Sequence, residues 1–78
     1  MAGTDVRQRA QQALRRLTDR ERQVAVAVAR GRSNAEIAAE LLMSVTTVKA
    51  HVSSVLAKLE LTNRTALALM VHEGGVAD

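Results

Sequence analysis

The 78-residue sequence predicts an all-α fold: a small four-helix domain with an additional N-terminal helix or linker segment ahead of it. Three observations point there. No useful length of chain alternates polar and apolar residues at the period of two that a half-buried strand needs. Apolar residues recur instead at helical spacing, most clearly over 45–59. With no Pro and only 4 Gly, the chain is punctuated by Ser, Thr and Asn residues placed where helix N-caps belong.

The first element, about 5–15, is rich in Gln, Arg and Ala. It reads as a linker or as a helix folded back on the domain, its Arg7, Arg9, Arg15 and Arg16 forming a solvated face. Thr18-Asp19-Arg20-Glu21 fits a capping box, which predicts a helix over about 19–30 closed by Gly31 in a left-handed conformation. Ser33-Asn34-Ala35-Glu36 fits a second box and opens a short helix over about 34–41. Ser44, which can accept from the backbone N–H of Thr46 or Thr47, opens the long helix over about 45–59. Thr62 or Asn63 starts a last helix over about 63–73, ended by Gly74-Gly75. A short helix joined to a long one by Leu42-Met43-Ser44 is a helix-turn-helix.

Composition removes several classes of function. Without Cys there is neither a disulfide framework nor a thiolate zinc site. Without Phe, Trp or Tyr there are no base-stacking platforms of the kind RNA-binding sheets use. No apolar run approaches the ~18 residues of a membrane span, and Met1-Ala2-Gly3-Thr4-Asp5 lacks the basic and apolar regions of a secretory signal. The expectation is a soluble, cytoplasmic chain with no membrane partner. His51 and His72, the 2 histidines, have no clustered carboxylates beside them, so no metal, cofactor or catalytic constellation is expected and the chain reads as a non-enzyme. The net charge of +3 is unevenly spread: residues 1–34 carry eight basic and three acidic side chains, residues 35–78 three and five. A basic surface of this kind attracts polyanions.

Helix 45–59 separates into two sides at 100° per residue. Val48, Val52, Val55 and Leu59 share the core side, with Leu56 at its edge. Thr46, Lys49, Ala50, Ser53 and Ala57 share the other, which holds no carboxylate and a single long cation. A smooth side of small residues around one Lys fits the major groove of duplex DNA, and the helix start, with Thr46 and Thr47, offers N–H and hydroxyl donors to phosphate.

These residues resemble the LuxR-type helix-turn-helix, the output domain of NarL/FixJ-like response regulators. The resemblance is carried by Leu17-Thr18-Asp19-Arg20-Glu21-Arg22-Gln23-Val24, Gly31-Arg32-Ser33-Asn34-Ala35-Glu36-Ile37-Ala38, Thr47-Val48-Lys49-Ala50-His51, Leu56-Ala57-Lys58-Leu59 and Asn63-Arg64-Thr65, in order, with Val71-His72-Glu73-Gly74-Gly75-Val76 similar to the tail of many such regulators. It divides the chain into a linker or N-terminal helix at 1–16 and the domain proper at 17–78. It implies sequence-specific binding of double-stranded DNA for transcription regulation. By position, base contacts fall to Thr46, Lys49, Ala50 and Ser53, and phosphate contacts to Asn34, Thr47 and Arg64. Ala50 and Ser53 are smaller than the residues some members carry there, which implies fewer base contacts and more reliance on phosphates and dimerisation. It also implies a homodimer through the last helix, with RNA polymerase as a further partner and a sensor histidine kinase acting on a receiver domain outside this chain.

The last helix is apolar nearly all round, which calls for two dry contacts. The core supplies one; a second copy of the chain is the expected other, through Ala66, Leu67, Met70 and Val71. Glu21 carries two structural readings, the capping box and a buried carboxylate tied to a basic or N–H partner on another element. Two alternatives stand beside the DNA-binding reading. One is a sigma-factor-like promoter-recognition domain, against which the extra apolar helix argues. The other is a helical interaction module whose 46/49/50/53/57 side contacts protein.

Overall fold

A computed structural model describes residues 2–75, with side chains described from Asp5 onward. Five α-helices and no strand occur among the described residues: α1 (Ala2–Leu14), α2 (Asp19–Ala29), α3 (Asn34–Leu41), α4 (Val45–Lys58) and α5 (Arg64–Glu73). None is long and apolar enough to cross a membrane.

The helices start where short polar side chains meet their orphan N–H groups. Thr18 Oγ1 accepts from the Glu21 N–H at 3.1 Å while Glu21 Oε1 accepts from the Thr18 N–H at 2.9 Å, a complete capping box. Ser33 and Glu36 form the second, at 3.1 and 2.8 Å. Ser44 Oγ accepts from Thr47 N–H at 3.0 Å, and Asn63 Oδ1 from Ala66 N–H at 2.8 Å. Each such cap contributes about 1 kcal/mol. The ends are as local as the starts. Gly31, at φ 81°, stops α2, with the Arg32 N–H donating back to the Ala27 carbonyl and the Gly31 N–H to Val28.

α2 is the central element, packed on both α4 and α5. Its Val24, Ala25, Ala27 and Val28 meet Ile37 of α3, Val48 and Val55 of α4, and Leu67 and Val71 of α5 in one core. α3 lies against α4, completing the helix-turn-helix. α1 is helical from Ala2, not confined to 5–15, and it packs on α5 rather than standing away from the domain. Gly74 sits closely against α1: a Cβ there would lie a tight 3.2 Å from Leu14 Cδ1 and an ordinary 3.5 Å from Ala10 Cβ. Gln11 Nε2 donates to the Gly74 carbonyl at 3.1 Å, and Arg22 Nη2 donates to the Leu14 carbonyl at 3.2 Å. The side chains of Arg7, Arg9, Arg15 and Arg16 are exposed.

Two residues expected at a dimer contact belong to the core instead. Leu67 and Val71 are fully buried within the single chain, both at 0% exposure. They face α2, so a second copy could reach them only by displacing it. Ala66 and Met70 are half-buried. The second dry contact of α5 comes in part from α1 of the same chain, an element whose polar composition concealed the packing role of Ala10 and Leu14.

Candidate nucleic-acid interface

α4 turns its valines inward: Val48 and Val55 are at 0% exposure, Leu59 is buried, and Val52 and Leu56 are half-buried. That fixes the opposite side outward, and Thr46, Lys49, Ala50, Ser53 and Ala57 are all exposed. No element covers them among the described residues. Among the described residues, Lys49 has neither an ion-pair nor a hydrogen-bond partner, and α4 bears no carboxylate along its length. Its ammonium group is therefore available to an external acceptor.

Thr47 is exposed at the start of α4, its backbone N–H taken by Ser44 Oγ and its hydroxyl oxygen accepting from the Ser44 hydroxyl at 2.9 Å. Asn34 and Arg64, from α3 and α5, are brought together. Arg64 Nη1 donates to Asn34 Oδ1 at 2.6 Å and Nη2 to the Arg32 carbonyl at 2.8 Å. Both side chains are half-buried. The guanidinium thus ties the start of α5 to the entry of α3, leaving its other N–H groups for an anion. The sequence holds no sign of this clamp, whose residues are 30 apart.

Glu21 satisfies both of its readings at once. Its Oε1 accepts from Lys58 Nζ at 2.7 Å as well as from the Thr18 N–H, and its Oε2 accepts from Ser54 Oγ at 2.7 Å. The Lys58 ammonium, the Ser54 hydroxyl and the Thr18 N–H together hold this buried carboxyl down at about 2, against an ordinary 4.5. Ser54 and Lys58 were missed as a site in the sequence. Their i, i+4 spacing on α4, flanking the outward side, was the available signal. The result is a charged rivet between the N-terminus of α2 and the C-terminal half of α4, which fixes how far and at what angle α4 stands out from the core.

An outward helix side free of negative charge, held rigidly by buried groups, is the arrangement seen here, and comparison with known proteins gives it a family. The family described as bacterial regulatory proteins, luxR family, matches residues 15–71. The chain belongs to this family. The LuxR-type domain is 57% identical over 53 residues to the uncharacterized transcriptional regulatory protein YhcZ of Bacillus subtilis (strain 168), covering 68% of this chain and 25% of that protein. It is 39% identical over 56 residues to the transcriptional regulatory protein LiaR of the same organism, covering 72% of this chain and 26% of LiaR. It is 47% identical over 57 residues to the response regulator protein VraR of Staphylococcus aureus (strain NCTC 8325 / PS 47), covering 73% of this chain and 27% of VraR. The chain thus spans about a quarter of the length of these relatives. It is a LuxR-type DNA-binding domain of transcription regulation, homologous to part of response regulators. α1 lies entirely outside the matched span.

Proposed function

We propose that the LuxR-type domain inserts α4 into the major groove of duplex DNA and reads sequence there with Thr46, Lys49, Ala50 and Ser53. The observation that carries the reading is the exposed, carboxylate-free side of α4 with Lys49 at its centre, unpaired among the described residues. An α-helix with its side chains is about as wide as the major groove, and small residues on either side of one cation let the backbone approach base edges without clash or repulsion. Lys49 hydrogen-bonds a guanine N7/O6 edge. Thr47 at the head of α4, with Asn34 and Arg64 as a preformed pair, meets the phosphates that set register. The domain acts as a homodimer on two half-sites about one helical turn apart. Leu67 and Val71 are withdrawn from the pairing surface, which is centred on Leu69, 59% exposed, with Ala66 and Met70 beside it.

We further assign the chain to the cytoplasm, as the output part of a two-component response regulator. Its signal comes from a receiver phosphorylated by a sensor histidine kinase, and its effect is exerted on RNA polymerase.

Selection of bound sites from a random duplex pool yields the target; titration of that site with the wild-type chain and with Lys49→Ala tests the assignment. The variant is expected to lose about 1–3 kcal/mol of specific binding, and binding of both proteins is expected to weaken steeply with salt. Equal affinity of variant and wild type rejects the role given to Lys49. Salt-insensitive binding, or none to any duplex, rejects the DNA reading in favour of a protein-contact side.

A further inference from the structure

Beside the exposed Leu69, α1 and α5 together form a shallow notch of about 230 Å³, lined by Val6, Arg9, Ala10, Met70 and Glu73. Its apolar walls come from Val6 (41% exposed), Ala10 and Met70. Arg9 and Glu73 are exposed at its rim, and neither takes part in an ion pair among the described residues. On α5, Glu73 lies one turn beyond Leu69, so the apolar projection and the notch are neighbours on one surface. The notch exists only because α1 is docked. Arg7 lies against Gly75, where a Cβ would come within 3.0 Å of its Nη2, and Gln11 holds the Gly74 carbonyl.

We infer that this notch receives Leu69 of a second copy of the chain, so that α1 forms half of a twofold interface that the sequence pattern places on the last helix alone. The inference rests on the homodimer proposed above and adds to it the contribution of α1. Three features of the surface fit a second copy. It carries both a large exposed aliphatic side chain and an apolar recess, the self-complementarity that a twofold contact requires. Burying Leu69 against Val6, Ala10 and Met70 removes from water the most exposed large apolar residue of α5. Its rim carries one cation and one anion, so a twofold axis sets Arg9 of each protomer against Glu73 of its partner, giving two reciprocal pairs.

Charge exchange tests this directly. Arg9→Glu places two like-charge contacts at the interface of its own homodimer, and Glu73→Arg does the same. Each is expected to weaken self-association about tenfold, as sedimentation or light scattering would report. Mixed together, the two variants regain both opposite-charge pairs in a heterodimer, so the mixture is expected to associate as tightly as the wild type. A contact within one chain cannot produce that recovery, since each variant chain keeps its own like-charge pair. Leu69→Asp separates the layers of the proposal. If it leaves association unchanged, pairing through α5 is wrong and the notch falls with it. If it abolishes association while the mixed charge variants show no recovery, pairing through α5 stands and the part given to α1 is overturned.

Discussion

α4 and α5 both bury aliphatic side chains in one core, yet their outward sides have opposite characters. α4 is covered on one side only and shows solvent a row of small polar and Ala residues around Lys49. α5 is covered by α2 on one side and by α1 on another, and what remains outward is a single large aliphatic residue, Leu69, flanked by Thr65, His72 and Glu73. The comparison separates two kinds of unpartnered surface. A side that omits carboxylates and long apolar groups is shaped for a polyanion. A side that keeps one Leu exposed among polar neighbours fits a small contact with another protein surface.

The comparison breaks most sharply at two leucines only two positions apart on α5. Leu67 is at 0% exposure and Leu69 at 59%. Leu67→Ala removes buried methyl and methylene groups from the centre of the core and is expected to cost about 2–5 kcal/mol. Leu69→Ala is expected to move monomer stability by no more than about 0.5 kcal/mol. Urea unfolding at a concentration where the chain is monomeric checks both. A comparable loss in the two variants would mean that α5 is rotated relative to the core described above.

How much of this was legible in the sequence depended on range. Helix starts rest on contacts three residues apart, so Thr18, Ser33, Ser44 and the Thr62-Asn63 pair each announced a helix that the structure contains, with Asn63 the cap of the last. The division of α4 into an inward valine side and an outward Lys49 side follows from periodicity, and it too is what the structure has. Contacts between distant segments were not readable. Nothing near Arg64 announces Asn34, and nothing in a stretch rich in Gln and Arg announces that Ala10 and Leu14 cover the end of α5. An all-round apolar helix records that two partners exist but not whose they are. For α5, that ambiguity assigned Leu67 and Val71 to another chain, although α2 holds them.

A second test concerns what aims α4. Glu21→Gln keeps the side chain's shape and its place in the capping box, since Gln serves at that position, but removes the negative charge that Lys58 and Ser54 address. Lys58, 40% exposed in its side chain, can return to water. The expected loss is therefore about 1–2 kcal/mol rather than the larger cost of stranding a buried charge. The acid limb supplies the sign. Because the folded carboxyl is held at about 2 against 4.5, its contribution is complete above pH 4.5 and is lost as pH falls from there towards 2. Denaturation midpoints of wild type and variant should converge over that window. Curves that stay parallel would remove Glu21 from the ionic tie between α2 and α4.

The smallest effect concerns the turn between the two helices of the motif. Leu42 ends α3 in the left-handed region, at φ 56°, and the residue is 91% exposed. A side chain in that conformation crowds the following carbonyl at a cost of about 1–2 kcal/mol, and almost no burial offsets it. Glycine adopts the same backbone freely, although it gives up about 0.5–1 kcal/mol to the greater freedom of the unfolded chain. Leu42→Gly is thus expected to stabilise the domain by up to about 1.5 kcal/mol, raising the urea midpoint with an unchanged slope. If the variant were instead destabilised, Leu42 would have to make a contact that its exposure does not show, and the turn would no longer be held by backbone geometry alone, through the donation of the Leu42 N–H to the Ala38 carbonyl.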